Sequence, residues 1–476
     1  MIRLFALVLI FATYVPTSVS AAKPNIVFFL IDDLGWADVG YTYDLLDIKE
    51  QYYETPHIDK LARSSVIFTD AYANAPNCAP SRACLMSGKY PPRHGIYTVG
   101  DPRRGNEQFR KLEPIENKTV LAGEFVTVAE VLQANGYTTA SMGKWHLGAN
   151  PQTQGFDVNV AGREWGSPSG GGYHSPLNYP NLKIEERGVY LTDTLTDKAV
   201  EFLEENRSKP FFLYLTHYAV HTPIQARDDL TRKYEQKAKT EHHQNAKYAA
   251  MIESVDDSVG RVLAKLDELK LTDNTVVIFF SDNGGFGGPT SNYPLRGSKG
   301  MLFEGGIREP LAIRWPGVSP AGTVCKEPVI GIDLYPTLLE ITKTPPPENY
   351  GLDGRSLVPL LEDPTASLNR EAIFWHFPCY LQGTGDPSGG PFRTTPVGAI
   401  RMGDWKLIEW FETGRLELYN LKEDLSESKD LTKQNPEQVN LLHARMKQWR
   451  AEVNAPVPTT PNPKFDHTAN KKRQRD

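Results

Sequence analysis

The sequence contains little cysteine for its length. Four cysteines occur in 476 residues, which is too few for a scaffold held together mainly by disulfides. With 40 % hydrophobic and 23 % charged residues, the chain can instead bury a large core of its own. The sequence alone does not determine which pair, if any, forms a disulfide.

The sequence also lacks an excess of positive charge. Its 52 Lys and Arg residues face 58 Asp and Glu residues, for a net charge of −6. The composition therefore gives no reason to expect nucleic acid as a partner. An anionic substrate would have to be held by local cations.

Long apolar runs are scarce as well. The run over residues 4–15 follows Arg3 and is followed by Val19-Ser20-Ala21. It is too short to span a bilayer, and a cleavage pattern of small residues follows it, which is typical of a secretory signal peptide. We therefore predict a signal peptide over residues 1–21, a secreted or periplasmic location and no stable membrane insertion.

Short runs of β-branched and aromatic residues alternate with amphipathic stretches from about residue 23 to residue 361. This alternation predicts an α/β fold with a large doubly wound, mostly parallel sheet flanked by helices. The predicted strands are residues 26–31, 66–72, 138–142, 211–216, 275–281 and 311–315. The predicted helices are residues 127–134, 192–205 and 245–269.

The character of the sequence changes near residue 369, where short strands and turns replace this alternation. The pattern predicts a smaller C-terminal antiparallel sheet with one helix over residues 436–454. Two long segments rich in glycine, proline and aromatic residues, 162–179 and 377–396, are typical of functional or disordered loops. The predicted domains are the signal peptide (1–21), a catalytic α/β domain (22–365) and a small α+β subdomain (366–476).

Cys78 stands where a buried strand pattern gives way to a helix. Pro80 fits the first turn of that helix, where its missing N–H is not needed. The unpaired N–H groups and the positive end of the helix dipole favour a small tetrahedral anion here, and Arg82 adds a cation. The alternative is that Cys78 is an ordinary thiol at a helix start.

Carboxylates follow two of the predicted strands. Asp32 and Asp33 come directly after the first strand, and Asp282 and Asn283 come after the strand at 275–281. Ligands lie beyond the carboxyl ends of such strands, so we expect a cluster of hard oxygen ligands. Ca²⁺ fits this set better than Mg²⁺ because it tolerates many oxygen ligands. Each pattern taken separately is also typical of a helix cap or a turn.

Lysines and histidines also occupy positions that suit a binding site. Lys144 and His146 follow a predicted strand two residues apart, so their side chains can point the same way. His217 and His221 follow another strand, and a histidine beside an anion site is a candidate general acid because its pKa lies near neutrality. Lys299 has glycines on both sides, which suits close approach of the backbone. The alternative is a set of surface lysines and structural histidines.

Together these residues resemble the type I sulfatase family of the alkaline phosphatase-like superfamily. The resemblance is carried by Cys-x-Pro-Ser-Arg at 78–82, Leu-x-Ser-Gly at 85–88, Gly-Lys-Trp-His at 143–146, His-x-Pro at 221–223 and the lysine at 299. It covers most of the chain and implies hydrolysis of sulfate esters.

The resemblance implies that a maturation enzyme oxidises Cys78 to formylglycine, whose hydrate is the nucleophile. At most one disulfide could then form among Cys84, Cys325 and Cys379. The resemblance also implies that residue 78 and four further residues bind the Ca²⁺ ion, namely Asp32, Asp33, Asp282 and Asn283. Arg82 would orient the nucleophile, Lys144 and Lys299 would bind the sulfate, and His146 would bind one hydroxyl of the hydrate. Asp282 would also be the base and His221 the general acid, whereas His217 would be structural.

The substrate is predicted less directly. The aromatic loop that begins at Gly162 favours stacking on a sugar, and Arg163, His174 and Arg393 are candidate substrate contacts. A sulfated glycan is the hypothesis that these residues favour. The alternatives are a phosphonate or phosphodiester hydrolase of the same superfamily and an inactive secreted, calcium-dependent glycan-binding protein.

Overall fold

The computed structural model describes residues 23–46, 48, 51–383 and 390–468. The predicted signal peptide lies outside the described residues. Among the helices that are described, none is long and apolar enough to cross a membrane.

The strands and helices follow one another along the whole described chain. The strands are β1 (Asn25–Ile31), β2 (Val66–Phe68), β3 (Ala71–Tyr72), β4 (Thr138–Gly143), β5 (Val158–Val160), β6 (Leu177–Tyr179), β7 (Leu182–Ile184), β8 (Phe211–Thr216), β9 (Thr275–Ser281), β10 (Leu311–Arg314), β11 (Thr323–Cys325), β12 (Val329–Ile330), β13 (Ile373–Phe377), β14 (Leu381–Gln382), β15 (Phe392–Thr394), β16 (Val397–Met402), β17 (Trp405–Trp410) and β18 (Arg415–Asn420). The α-helices are α1 (Gly40–Leu45), α2 (Pro56–Arg63), α3 (Cys78–Ser87), α4 (Pro91–His94), α5 (Val128–Ala134), α6 (Leu191–Asn206), α7 (Asp228–Gln236), α8 (Ala246–Glu268), α9 (Glu304–Ile307), α10 (Leu334–Thr342), α11 (Val358–Glu362) and α12 (Pro436–Glu452). Short 3-10 helices occupy Trp36–Asp38, Glu107–Phe109, Pro151–Gln154, Thr272–Asn274 and Gly331–Asp333.

The central sheet has the strand order β11-β2-β10-β9-β1-β8-β4-β5. Neighbouring strands are parallel from β9 to β5 and between β11 and β2. Strand β10 is antiparallel to both of its neighbours. The prediction of a large, mostly parallel sheet is therefore confirmed.

Both faces of the central sheet are covered. Alternate residues of β1 point to opposite faces, as the two-residue repeat of a strand requires. Phe29 packs in the core with Leu195 of α6 and Val255 of α8, whereas Phe28 packs in the other core with Ala83 of α3. This two-sided burial explains why β1 is an unbroken hydrophobic run, as parallel strands commonly are.

Local sequence sets several helix starts. The hydroxyl of Thr127 accepts a hydrogen bond from the N–H of Glu130, and the Glu130 carboxylate accepts one from the N–H of Thr127. This capping box satisfies two N–H groups at the start of α5 that would otherwise lack partners.

The segment predicted as one strand at 66–72 differs in the structure. It forms β2 in the central sheet and β3, which pairs with β12 in a separate two-stranded sheet. The chain turns at Thr69 and Asp70, where the Asp70 carboxylate pairs with Arg401 at 2.6 Å and with Arg308 at 3.3 Å. These long-range ion pairs favour a turn in a segment whose composition alone favours a strand.

The C-terminal part contains the antiparallel sheet β13-β16-β17-β18. Helix α12 packs on this sheet, and the rings of Trp449 and Phe374 stack with centroids 4.6 Å apart. The prediction of a small antiparallel sheet with one helix is therefore confirmed. The long segment predicted as a loop at 377–396 contains the hairpin of β14 and β15.

A buried charge cluster attaches this sheet to the larger part of the fold. Lys406 of β17 lies 2.8 Å from carboxylate oxygens of both Glu304 and Glu427, and all three side chains are fully buried. Glu304 begins α9, five residues after Lys299. The C-terminal sheet therefore packs against the segment that carries Lys299.

Candidate active site

Four parallel strands end beside one another at the site. Asp32 follows β1, Lys144 follows β4, Thr216 ends β8 and Asp282 follows β9. Because these strands run in the same direction, their carboxyl ends lie at one edge of the sheet. Helix α3 begins at the same edge, and Sγ of its first residue, Cys78, lies 3.8 Å from Oδ1 of Asp33.

Three carboxylates and the cysteine converge at this edge. Single ligand atoms of Asp32, Asp33, Asp282 and Cys78 all lie within 4.8 Å of one another. Asn283 donates a hydrogen bond from Nδ2 to Oδ1 of Asp33 at 2.9 Å, while its own Oδ1 is buried without a hydrogen-bond partner. A buried acceptor oxygen left without a donor costs free energy. A cation bound among these oxygens would satisfy it.

The backbone at Asp33 contributes to this convergence. Asp33 has a φ of 62°, in the left-handed region that residues other than glycine seldom occupy. Its N–H donates to Oδ1 of Asp282 at 3.2 Å. The strained backbone thus brings the neighbouring carboxylates from two strands together.

Three cations surround the carboxylates. Arg82 donates from Nε to Asp282 at 2.7 Å, and its Nη1 donates to both the carbonyl of Lys144 and the hydroxyl of Thr216. Nζ of Lys144 lies 2.7 and 2.8 Å from the two oxygens of Asp32. Nζ of Lys299 lies 2.7 Å from Asp33.

The two neighbouring carboxyl groups have opposite pKa shifts. Burial raises the pKa of Asp32 to about 7, although the charge of Lys144 opposes the shift. Burial acts in the same direction on Asp33, but the charges of Lys299 and His221 outweigh it and hold the pKa of Asp33 below its usual range. Asp33 is therefore the more strongly ionised of the two.

The thiol of Cys78 is not an activated nucleophile. Burial raises its pKa to about 12 even though Lys144 and Lys299 lie nearby. Since the thiolate rather than the thiol is the nucleophile, an unmodified Cys78 in this environment is inert at neutral pH.

The histidines occupy two different environments. His221 donates from Nδ1 to the carbonyl oxygen of Thr222 at 2.7 Å, so Nε2 faces Asp33 at 3.8 Å. Burial, with a further contribution from the charge of Lys299, lowers the pKa of His221 to about 3. His217 is fully buried and its Nε2 lies 2.9 Å from the hydroxyl of Ser258.

His146 lines the same cavity as Cys78, in a backbone conformation with a φ of 63°. Its N–H donates to the carbonyl of Arg163 at 2.9 Å, and its Nδ1 is buried without a hydrogen-bond partner. Burial and the charge of Lys144 hold the pKa of His146 well below its usual range. A neutral imidazole can accept or donate a hydrogen bond to a group entering the site.

A cavity of about 540 Å³ opens over these residues. This volume lies in the range of pockets that enclose a whole small ligand. The predicted site residues that line it are Asp33, Cys78, His146, His221, Lys299 and Arg393. The other core residues, Asp32, Arg82, Lys144, Asp282 and Asn283, form a fully buried layer next to it.

The three predicted substrate contacts lie in different places. Arg393 lines the cavity. Arg163 pairs with Glu164 at 2.6 Å and lies over the ring of Trp165, and His174 lies 3.1 Å from the carbonyl of Ala226. Neither Arg163 nor His174 is among the described residues that line the cavity.

Two residues of the site were missed by the sequence analysis. Thr216 binds Arg82, and its position at the end of a predicted strand was a signal that could have identified it. Arg104 lines the cavity, but it belongs to a loop without periodic pattern or motif. No local signal distinguishes Arg104 from its neighbour Arg103.

A mostly parallel sheet with carboxylates, cations and a helix start at its strand ends defines an alkaline phosphatase-like hydrolase of anionic esters. Comparison with known proteins narrows this class. The family model "Sulfatase" matches residues 24–344, and the model "N-sulphoglucosamine sulphohydrolase, C-terminal" matches residues 297–452. The chain belongs to the sulfatase family and is a sulfatase.

Similar proteins extend over most of the chain. A sulfatase of Formosa agariphila is 34% identical, over 91% of this chain and 90% of its own. The N-acetylgalactosamine-6-sulfatase of Sus scrofa is 33% identical, over 74% of this chain and 68% of its own. The crystal structure of Ps i-CgsB in complex with k-i-k-neocarrahexaose is 30% identical with a TM-score of 0.73, and the match covers 95% of this chain and 97% of that one.

Proposed function

We propose that this sulfatase removes sulfate from a sulfated carbohydrate, with residue 78 as its nucleophile after conversion to formylglycine. The observation that carries the proposal is the position of Cys78. It begins α3 at the cavity, beside Lys299 and the carboxylate cluster. A residue placed there meets an incoming anion at a helix N-terminus among fixed cations.

The residues present fit a calcium ion. Asp32, Asp33, Asp282 and Asn283 supply hard oxygen atoms of the kind that Ca²⁺ prefers, and Oδ1 of Asn283 lacks any other partner. We propose that these four residues hold the ion, with residue 78 facing it. When bound, the ion supplies Lewis-acid stabilisation of the negative charge on the sulfate and the nucleophile.

The residues around Cys78 also fit its modified form. A maturation enzyme would have to act on the chain before folding, because Cys78 is fully buried in the folded protein. The formylglycine hydrate would supply a hydroxyl nucleophile where the thiol itself is inert. Asp282 is the proposed base for that hydroxyl, and His146 is proposed to hold the second hydroxyl.

The cations of the chain would stabilise the anionic substrate. Lys299 lines the cavity, so it can neutralise charge on the sulfate without rearrangement. Lys144 is fully buried with Nζ bonded to both oxygens of Asp32, and we propose that its charge acts on the sulfate from the layer next to the cavity. Arg82 fixes Asp282 and thereby orients the base. His221, which lines the cavity, is the proposed acid that protonates the bridging oxygen from Nε2. Burial and the charge of Lys299 favour its neutral form, so the negative charge of a bound sulfate ester would have to raise the pKa of His221 for it to act as the acid.

The proposed substrate class is a sulfated glycan. Curated relatives are named for removing sulfate from N-acetylgalactosamine, and Ps i-CgsB was crystallised with a neocarrahexaose. The proposed contacts Arg163, His174 and Arg393 belong to this substrate hypothesis. The segment over residues 1–21 supports export to a secreted or periplasmic location, where such glycans are accessible.

The test is to produce the protein with a formylglycine-generating enzyme and to measure free sulfate released from a panel of sulfated sugars. We expect release from at least one sugar and a peptide at residue 78 whose mass matches the aldehyde. Cys78→Ala should lower turnover by at least about 10³-fold because the nucleophile is lost. Cys84→Ala, a change of another buried cysteine of α3, is the matched control and should retain turnover.

One result would overturn the proposal. A residue 78 fully converted to formylglycine, with no sulfate released from any sugar and with hydrolysis of a phosphodiester or phosphonate ester, would assign the protein to the phosphoester reaction instead. A phosphodiester is therefore included in the panel under identical conditions.

A further inference from the structure

Two arginines line the same cavity as Cys78 and form no ion pair with a carboxylate in the part of the chain that the structure describes. The guanidinium groups of Arg104 and Arg393 are half-buried. Among the described residues, no carboxylate lies within ion-pair distance of either one. By contrast, the buried arginines Arg308 and Arg401 both pair with Asp70.

The segments that carry the two arginines are fixed to each other. Arg110 donates from one guanidinium nitrogen to the carbonyls of Arg103 and Gly105, at 2.8 and 3.0 Å, and so holds the loop around Arg104. The N–H of Tyr380, which precedes β14, donates to the carbonyl of Pro102 at 3.1 Å. The loop and the described residues of β14 and β15 therefore form one wall of the cavity.

Each guanidinium group is also held in place. The Arg393 guanidinium lies 4.9 Å from the ring centroid of Phe286, a contact that favours one orientation of the group. Arg104 donates a hydrogen bond to the carbonyl of Val99. Neither contact neutralises a charge.

The electrostatics of this wall favour an anion. Burial lowers the pKa of Arg393, the charge of Asp33 opposes this shift, and the charge of Arg104 adds to it. Arginine nevertheless remains charged in proteins, so two cations that form no ion pair with a described residue repel each other beside the cavity. An anion bound to both would relieve this repulsion, and guanidinium groups match the geometry of sulfate and carboxylate oxygens.

We propose that Arg104 and Arg393 form a second anion subsite, separate from the residues that bind the sulfate to be removed. The substrate is then a glycan with two anionic groups, of which one is hydrolysed at residue 78 and the other is held by the two arginines. The second group is a sulfate ester or a uronate carboxylate. The proposal deepens, and rests on, the proposed hydrolysis of a sulfated carbohydrate.

The first test compares three disaccharides that carry the same scissile sulfate: one with no further charge, one with a second sulfate and one with a uronate. Arg104→Gln and Arg393→Gln should each lower kcat/KM on a doubly anionic sugar by about 10- to 100-fold, mainly through KM, because a charged hydrogen bond is lost. The loss on the singly charged sugar should be smaller than about threefold. The two doubly charged sugars distinguish a sulfate from a carboxylate as the bound group.

Arg103→Gln is the matched control. Arg103 adjoins Arg104, but its side chain is half exposed and lies 3.5 Å from Glu113. We expect this change to leave the ratio of kcat/KM between the doubly and singly anionic sugars as in the parent protein. Melting temperatures verify folding, and if Arg393→Gln fails to fold, Arg104→Gln decides the question.

A binding experiment separates the subsite from the reaction. Calorimetry on the Cys78→Ala protein measures affinity for the doubly anionic sugars without turnover, with and without Arg104→Gln. Weaker binding of these sugars in the Arg104→Gln form supports the subsite even if the parent protein releases no sulfate. If the parent protein releases sulfate and both sugar classes respond equally to the arginine changes, the subsite is refuted and the hydrolysis stands.

Discussion

Nζ of Lys299 lies 2.7 Å from Oδ2 of Asp33, although the two residues are 266 positions apart in the chain. This contact joins the segment before α9 to the end of β1 at the cavity. The carboxylate holds the pKa of Lys299 above its usual range in spite of burial, so the ammonium group remains charged. A cation therefore lines the same cavity as residue 78.

We predict that Lys299→Met lowers kcat strongly. Removal of one preorganised donor to developing negative charge typically costs about 10²- to 10³-fold. Initial rates of sulfate release at saturating substrate measure the effect. Lys326→Met, a change of an exposed lysine, is the control, and a Lys299→Met protein with parental kcat would contradict the assignment.

We predict that added Ca²⁺ stabilises protein that has been treated with a chelator. A ligand that binds only the folded state at a hundredfold excess over Kd contributes about 2.7 kcal/mol. Thermal melts with and without Ca²⁺ measure this, and Mg²⁺ should give a smaller increase in Tm because the set of oxygen atoms suits the more tolerant ion.

Asn283→Ala tests which residues bind the ion. This change removes the buried Oδ1 that has no hydrogen-bond partner among the described residues. It should therefore reduce the increase in Tm that added Ca²⁺ causes. Asn135→Ala alters an asparagine after α5, whose Nδ2 bonds the carbonyl of Val131, and should leave the increase as in the parent protein. An equal increase in all three proteins would place the ion elsewhere.

We predict that Arg82→Met destabilises the fold by about 3–5 kcal/mol, because removing Arg82 leaves the buried Asp282 carboxylate without its counter-charge. Arg82 and its partners Asp32 and Asp282 are fully buried. Urea unfolding in the presence of a chelator measures the free energy of unfolding. Arg93→Met, at an arginine whose side chain is 36% exposed beside Asp353, should cost no more than about 1 kcal/mol.

We predict that Asp70 contributes stability that is lost on acidification. Burial opposes ionisation of Asp70, but Arg308 and Arg401 outweigh it and hold its pKa below the ordinary value of 3.8. A carboxyl group whose pKa is depressed by folding stabilises the protein above its unfolded pKa and loses that contribution as the pH falls. The parent protein should therefore lose this contribution as the pH falls below about 5 and continue to lose it below the unfolded value of 3.8.

Asp70→Asn should be less stable than the parent protein above about pH 5 and should lose less stability on acidification. Urea unfolding at several pH values measures both quantities. Asp101→Asn, at an exposed residue, serves as the control. If stability depends on pH in the same way in Asp70→Asn and in the parent protein, Asp70 does not make the predicted contribution.

Much of the fold follows from local sequence. The observed bounds of β8 and β9 equal the predicted ones, and α5 begins after Thr127, because strand and helix patterns depend on residues a few positions apart. The candidate residues at the strand ends were likewise identified from local sequence, by their positions directly after predicted strands. Parallel strands with a common direction place such residues at one edge of a sheet.

Tertiary structure decided what these residues contact. The sequence identified Asp33 and Lys299 separately, but only packing brings together residues 266 positions apart. The strand predicted at 66–72 turns at Asp70 because Arg308 and Arg401 reach it from distant segments. Arg104 lines the cavity, and the N–H of Tyr380, far along the chain, bonds the carbonyl of Pro102 in its loop. Local propensity acts over a few residues, whereas ion pairing and cavity shape depend on contacts between segments far apart in the chain. The sequence therefore determined the candidate residues and the fold class. The packed structure determined which residues these candidates contact.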